Sequence, residues 1–336
     1  VKEGRAVLVA FGRQSLADPA MPKKALEERL EDMTPCIACL QGCVANMYAG
    51  NPICCLTNPF LGHEAEPIAK TENPKKVMVI GGGVAGLCAA FIAKEKGHEV
   101  TLYEAGDVLG GNMRLAAYPP GKGDITNMIR SYIHRCQKDG VKIVMNCEVT
   151  PELIKEEKPD SVIIATGSKT LILPIEGIDN PAIIHGSDLL DGKRPAGKKV
   201  LVVGGGMVGC ETAAFLGEQE HDVTVIEFRD TVGADVIHEH RVYLMKDFED
   251  YGIKEITGAK VCKFYEDGVE YETADGVRHE TRGYDSVILS MGFRNYNPLE
   301  EKIKDLVPET HVIGDAIRAR RALDATKEAY EVASRL

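Results

Sequence analysis

The chain has 336 residues, 44% of them apolar and 27% charged, which is room for about two domains of an ordinary globular protein. Its net charge of −11 argues against nucleic acid, which needs a basic face, and against a polybasic membrane anchor; no apolar run is long enough to span a bilayer. The first residues carry neither an initiating Met nor a secretory pattern, so a fragment or processed chain in the cytoplasm is expected, and its crowded cysteines read as a metal or cofactor site before disulfides.

In chain order, residues 6–11 are a short apolar run that predicts a buried strand, ended by Gly12 and Arg13. Residues 25–33 predict a charged helix. Residues 34–62 hold Cys36, Cys39, Cys43, Cys54 and Cys55 among Pro35, Pro52 and Pro59, so this segment is loop-rich. After a polar link at 71–74, the order strand, glycine turn, helix, strand starts at Lys76 and again at Lys199. Strands are expected at 141–145, 161–165, 285–290 and 311–314, a helix at 326–336, and a boundary in the Gly- and Pro-containing stretch 192–197.

Gly81, Gly83 and Gly86 follow the first of these strands in the order G-x-G-x-x-G. A pyrophosphate needs bare backbone at Gly81 and Gly83, close helix packing at Gly86, and the donors of a helix start. Glu104 ends the next strand, where a carboxylate accepts from ribose hydroxyls. Gly204, Gly206, Gly209 and Glu227 repeat the pattern at the same interval from first glycine to acid. A carboxylate at Glu227 repels a 2′-phosphate and so favours NADH; Arg229, two residues on, works the other way. The fold class expected is α/β with two Rossmann-like dinucleotide-binding domains.

Two further motifs, Ala165-Thr166-Gly167 after a strand and Gly314-Asp315-Ala316 near the C-terminus, give the chain a resemblance to flavoproteins with two dinucleotide-binding domains. The resemblance implies that Ala165, Thr166 and Gly167 return the chain beside FAD and that Asp315 holds the flavin ribitol. An aspartate after a strand is otherwise a helix N-cap. Gly111 and Asn112 resemble the flavin-side loop, with Asn112 where Gln is common.

The cysteines narrow the resemblance. Cys36, Cys39, Cys43 and Cys55 have the spacing C-x2-C-x3-C-x11-C, and Cys55-Leu56-Thr57-Asn58-Pro59 completes the pattern. This is similar to the [4Fe–4S] segment of the NADH:flavin oxidoreductase, 2,4-dienoyl-CoA reductase and 2-enoate reductase family, which includes trimethylamine dehydrogenase. Four thiolates suit a cubane cluster, one per iron; spacing alone leaves zinc open. Cys54 is then the spare thiol. Residues 8–13 and 16–19 resemble the last strand and helix of that family's FMN barrel, which implies Gly12 and Arg13 at the FMN phosphate.

The organisation expected is therefore a remnant of an FMN-binding barrel (1–33), a cluster segment (34–62), an FAD domain (73–194 and 285–336) and an inserted NAD(H) domain (195–284). The resemblance implies the electron-input half of an NADH-dependent reductase, passing electrons from NADH through FAD and the cluster to FMN. The resemblance implies a small unsaturated acid or acyl-CoA as partner of the full-length protein; a homo-oligomer is left open. No side chain here is expected to make or break substrate bonds. Cys88, Cys136, Cys147, Cys210 and Cys262 read as packing, as do His221, His238 and His240. Two rival readings are an ADP-holding structural module and a stand-alone NADH:flavin reductase.

Overall fold

A computed structural model describes residues 3–336, which divide into two compact units. The first takes in the chain to Arg114, then Asp124–Gly167 and Asn295–Leu336. Its centre is a five-stranded parallel sheet in the order Glu309–Val312, Ser161–Ile164, Lys76–Ile80, Glu99–Tyr103, Lys142–Val144. The middle strands are apolar on both faces because both faces are covered. Met78, Ile80, Val162 and Ile164 pack on one side. Helix Val84–Glu95 is buried from Val84 to Ala93, and helices Ile125–Lys138 and Ala322–Ala333 pack against it. That is why its sequence is apolar all round and shows no amphipathic stripe.

The second unit, Leu115–Gly123 with Ser168–Arg294, repeats this plan. Its parallel sheet runs Ile184–His185, Ser286–Leu289, Lys199–Val203, Asp222–Ile226, Lys254–Ile256. Helix Met207–Glu218 covers one face. Three antiparallel strands, Lys260–Tyr265, Gly268–Glu272 and Arg278–Thr281, cover the other through Val261, Phe264 and Val269.

Three expectations are corrected here. Residues 6–11 form no strand: Val7 and Leu8 are 89% and 88% exposed, and no strand among the described residues offers them a ladder. The helix expected at 25–33 lies earlier, at Met21–Leu26, because Glu28 turns left-handed (φ 58°) and only a short 3-10 turn, Leu30–Asp32, follows. The division between the units falls at Gly167/Ser168 and Arg294/Asn295, not at 194/195 and 284/285. The reason is pairing: Ile184–His185 and Ser286–Leu289 are neighbours in the second sheet, so both flanks belong with it.

Candidate functional site

In the first unit, strand Lys76–Ile80 delivers Gly81 into a left-handed turn (φ 110°). A Cβ there would lie 2.3 Å from the carbonyl oxygen of Ala165. On Gly86 it would lie 1.9 Å from the Gly81 carbonyl oxygen, so helix and strand meet backbone to backbone. Gly83 differs. Its φ of −73° suits any residue, and a Cβ there would come only within 4.0 Å of Gly111 Cα. Nothing in the chain demands glycine at this place. Its bareness leaves an open cradle at the start of helix Val84–Glu95, where N–H donors and the positive end of the dipole favour an anion.

The other expected residues surround this cradle. Gly110 donates to the Gly82 carbonyl at 2.8 Å and bridges to Gly83, which lays Gly111 and the start of helix Asn112–Leu115 along one wall. Ala165, Thr166 and Gly167 follow strand Ser161–Ile164 on the other side. The Thr166 hydroxyl donates to the Tyr296 carbonyl, and Gly167 accepts the Tyr296 N–H at 2.9 Å. Gly314, left-handed at φ 63°, packs against Ala85 and sets Asp315 beside the first helical turn. Asp315 lies in the 3-10 turn Gly314–Ala316 and accepts the Arg320 N–H at 3.1 Å. It does not cap helix Ala322–Ala333, whose N-cap is Arg321, so the capping alternative is set aside. The crevice opens at the carboxyl end of the sheet, where the chain order reverses about strand Lys76–Ile80.

Glu104 closes the crevice. One carboxylate oxygen accepts the Gly82 N–H and the other the Gly106 N–H, each at 2.7 Å. Each oxygen keeps a lone pair for a ribose hydroxyl. Glu227 repeats this in the second unit, accepting from Gly205 at 2.5 Å and from Arg229 at 2.9 Å. The backbone of Arg229, not its guanidinium, makes that bond. Gly204 (φ 105°) and Gly209 are as tightly held as Gly81 and Gly86: a Cβ would lie 2.5 Å from the Ser290 carbonyl oxygen and 1.8 Å from that of Gly204. Gly206 is the looser glycine, with Asp235 Oδ2 3.5 Å from its Cβ position. Asp235 also accepts the Met207 N–H at 2.9 Å, at the first residue of helix Met207–Glu218. The sequence reading did not single out Asp235; it sits 28 positions from Met207, in a loop without a motif.

The cysteine segment folds in the first unit. Cys36, Cys39, Cys43, Cys54 and Cys55 line one small hollow together with Arg13. Burial pushes the Cys39 thiol up to about 11; Cys55, Cys43 and Cys36 add to the rise, and the Gln41 N–H opposes it. Burial also raises Cys55, against the Thr57 hydroxyl, whose oxygen is 3.3 Å from the sulfur. Burial, with the neighbouring thiols behind it, thus disfavours the thiolate form of Cys39 and Cys55. Cys54 is occupied elsewhere: its sulfur donates to the Gly42 carbonyl at 3.6 Å and receives Asn46 Nδ2 at 3.4 Å. Ala38 and Leu40, between the ligand candidates, are left-handed without being glycine (φ 51° and 56°). Such alternation turns backbone N–H groups into a concavity that suits an anionic group. Among the described residues, no three His, Cys, Asp or Glu side chains converge on a single metal ion. A cubane takes one thiolate per iron, so its ligands stand around it and do not meet at a point. The donor set fits a cluster.

Gly12 precedes the short helix Arg13–Ala17, and Arg13 borders the cysteine hollow; neither lies in the glycine crevice. All ten cysteines are free, with Cys88, Cys136 and Cys210 fully buried in packing roles. His221 Nδ1–H donates to the Gly197 carbonyl at 2.7 Å.

Residues 75–313 match the family model for pyridine nucleotide-disulphide oxidoreductase. The chain belongs to this family. Its domain is that of an NAD(P)H-dependent flavin oxidoreductase, built for FAD and NAD(H). The chain is 35% identical to NADH oxidase of Thermoanaerobacter brockii, over 99% of its own length and 52% of the relative's. It is 32% identical to cinnamate reductase of Clostridium sporogenes, over 100% and 50%. A solved 2-naphthoyl-CoA reductase superposes on all of the chain and 51% of that protein, with a TM-score of 0.95 and 33% identity. The resemblance to the NADH:flavin oxidoreductase and 2,4-dienoyl-CoA reductase family thus holds along the whole chain, and the chain spans about half the length of these relatives. Among the described residues no helix is long and apolar enough to cross a membrane.

Proposed function

We propose that this chain is the electron-input part of an NADH-dependent iron–sulfur flavoprotein reductase, with FAD in the first unit and NADH in the second. The observation that carries the reading is the pair of glycine cradles joined in one chain to a hollow lined by Cys36, Cys39, Cys43 and Cys55. Gly81, Gly83 and Gly86 present bare backbone to the FAD pyrophosphate, Glu104 accepts from its ribose, and Asp315 from its ribitol. Gly204, Gly206, Gly209 and Glu227 do the same for NADH. Cys36, Cys39, Cys43 and Cys55 hold one [4Fe–4S] cluster. Bound in these places, the flavin accepts hydride and the cluster carries single electrons. The protein's own contribution is position: hydride transfer asks for close stacking and no side-chain acid or base.

A longer protein of this kind would hold FMN in a barrel domain, which would supply the reduction of an activated C=C bond of an unsaturated acid or acyl-CoA. Support comes from two relatives, a cinnamate reductase and a 2-naphthoyl-CoA reductase. Gly12 and Arg13 then meet the FMN phosphate, and the cytoplasm is the setting in which such thiols stay reduced. The test is anaerobic: purify the chain, reconstitute it with FAD, iron and sulfide, and add NADH. Bleaching of the flavin band followed by a reduced-cluster signal supports the reading. Bound ADP without flavin, or one zinc without sulfide, overturns it.

A further inference from the structure

The segment that carries Cys55 is fastened to helix Ile125–Lys138 by one side chain. Tyr132, 2% exposed, places its hydroxyl 3.1 Å from the Leu56 carbonyl oxygen and 3.3 Å from that of Thr57. Its ring meets Phe91 edge to face, with centroids 5.1 Å apart, so the hydroxyl has little freedom to move. Thr57 is equally buried, at 2% exposure, and its hydroxyl partners Cys55 Sγ. The direction of that bond follows from chemistry. A metal-bound thiolate has no proton to give, so the threonine must be the donor.

We propose that Thr57, held by Tyr132, is the positioning residue that sets the reduction potential of a cluster bound through Cys55. This rests on the cluster reading above. A donor aimed at a ligand sulfur withdraws charge from it and stabilises the more negative, reduced state, so it raises the potential. Backbone N–H groups of Thr57 and Asn58 also bear on this sulfur, and Gln41 N–H bears on Cys39, but no side-chain substitution removes those. The Thr57 hydroxyl is the donor that one substitution can delete. Because its carbonyl is pinned by a tyrosine from a neighbouring helix, the hydroxyl is held in place at the sulfur and not turned toward water.

The experiment reconstitutes the chain anaerobically with ferrous iron and sulfide, as wild type, Thr57→Val, Thr57→Ser and Tyr132→Phe. It reads iron and sulfide per chain, the EPR signal of the reduced cluster and the midpoint potential. Thr57→Val should hold as much iron and sulfide as wild type, with a lower potential and an altered signal. Thr57→Ser should restore both, and Tyr132→Phe should move the potential the same way by less. Thr57→Val with a full cluster and an unmoved potential overturns the inference and leaves the cluster reading standing. A wild type that binds one zinc and no sulfide sinks the cluster reading, and the inference with it. Should Thr57→Val load poorly, Tyr132→Phe decides, and an unmoved potential there overturns the proposal.

Discussion

Gly83 faces Gly111 with room between them for a methyl group, whereas Gly86 meets the Gly81 carbonyl with none. The two glycines of one motif therefore fail differently when replaced. Gly83→Ala should keep the wild-type melting temperature and bind FAD at least about tenfold more weakly, roughly 1.4 kcal/mol. Gly86→Ala should lose stability by about 1–3 kcal/mol through overpacking. The ratio of flavin to protein absorbance and a thermal melt, read together, separate the cases. A stable Gly83→Val variant with stoichiometric flavin would remove this crevice from consideration.

Glu227 predicts a preference for NADH over NADPH. Its carboxylate is anchored by Gly205 and Arg229 backbone, so it cannot swing aside to admit a 2′-phosphate. Steady-state kcat/KM with a dye acceptor should favour NADH, and Glu227→Ala should narrow the ratio by about tenfold or more, each factor of ten being roughly 1.4 kcal/mol. A wild type that prefers NADPH would mean that the Arg229 side chain overrides the carboxylate.

Cys54 and Cys55 are adjacent in sequence but differently engaged, and serine substitutions should tell them apart. Cys55→Ser should lower iron and sulfide content sharply. Cys54→Ser should retain both, because its sulfur is engaged by Gly42 and Asn46. The opposite pattern in a metal analysis moves the fourth ligand to Cys54.

Asp32 ties the N-terminal segment to helix Ile125–Lys138. Lys138, His134 and Arg29 all reach its carboxylate, at 2.5, 2.9 and 2.7 Å, and hold its carboxyl well below the usual carboxylate range. Asp32→Asn should cost about 1–2 kcal/mol, the worth of hydrogen bonds to a charge that solvent partly screens. A depressed carboxyl stabilises the fold fully above its unfolded value and loses that contribution as pH falls toward the folded one. The stability gap between wild type and Asp32→Asn should thus persist down to about pH 5 and shrink below about pH 4. A gap independent of pH in denaturant titrations would show that the carboxylate charge is not what Asn loses.

The nucleotide units were legible in the sequence because their demands are local. A glycine at φ 110° and an acid at the end of the next strand announce themselves within one supersecondary unit. What depends on distant partners was not legible. Residues 6–11 have the composition of a strand, but composition supplies no neighbour. Ser286–Leu289 pairs with Lys199–Val203, far back in the chain, and that pairing moved the boundary between the units. The antiparallel strands Lys260–Tyr265 and Gly268–Glu272 did carry a signal, an Asp-Gly turn between alternating residues, that could have been read. Asp235, Thr57 and Tyr132 have no motif; only the fold brings them to the sites they border.

The two phosphate cradles differ in what their walls are made of. In the first unit the wall is backbone, Gly110 and Gly111; in the second it is the Asp235 carboxylate at the first N–H of the helix. A carboxylate competes with a phosphate for the same donors. On the proposed assignment the first cradle meets FAD with backbone alone along that wall. On the same assignment the second meets NADH with a helix start that a carboxylate already occupies, so removal of the Asp235 carboxylate should tighten that binding.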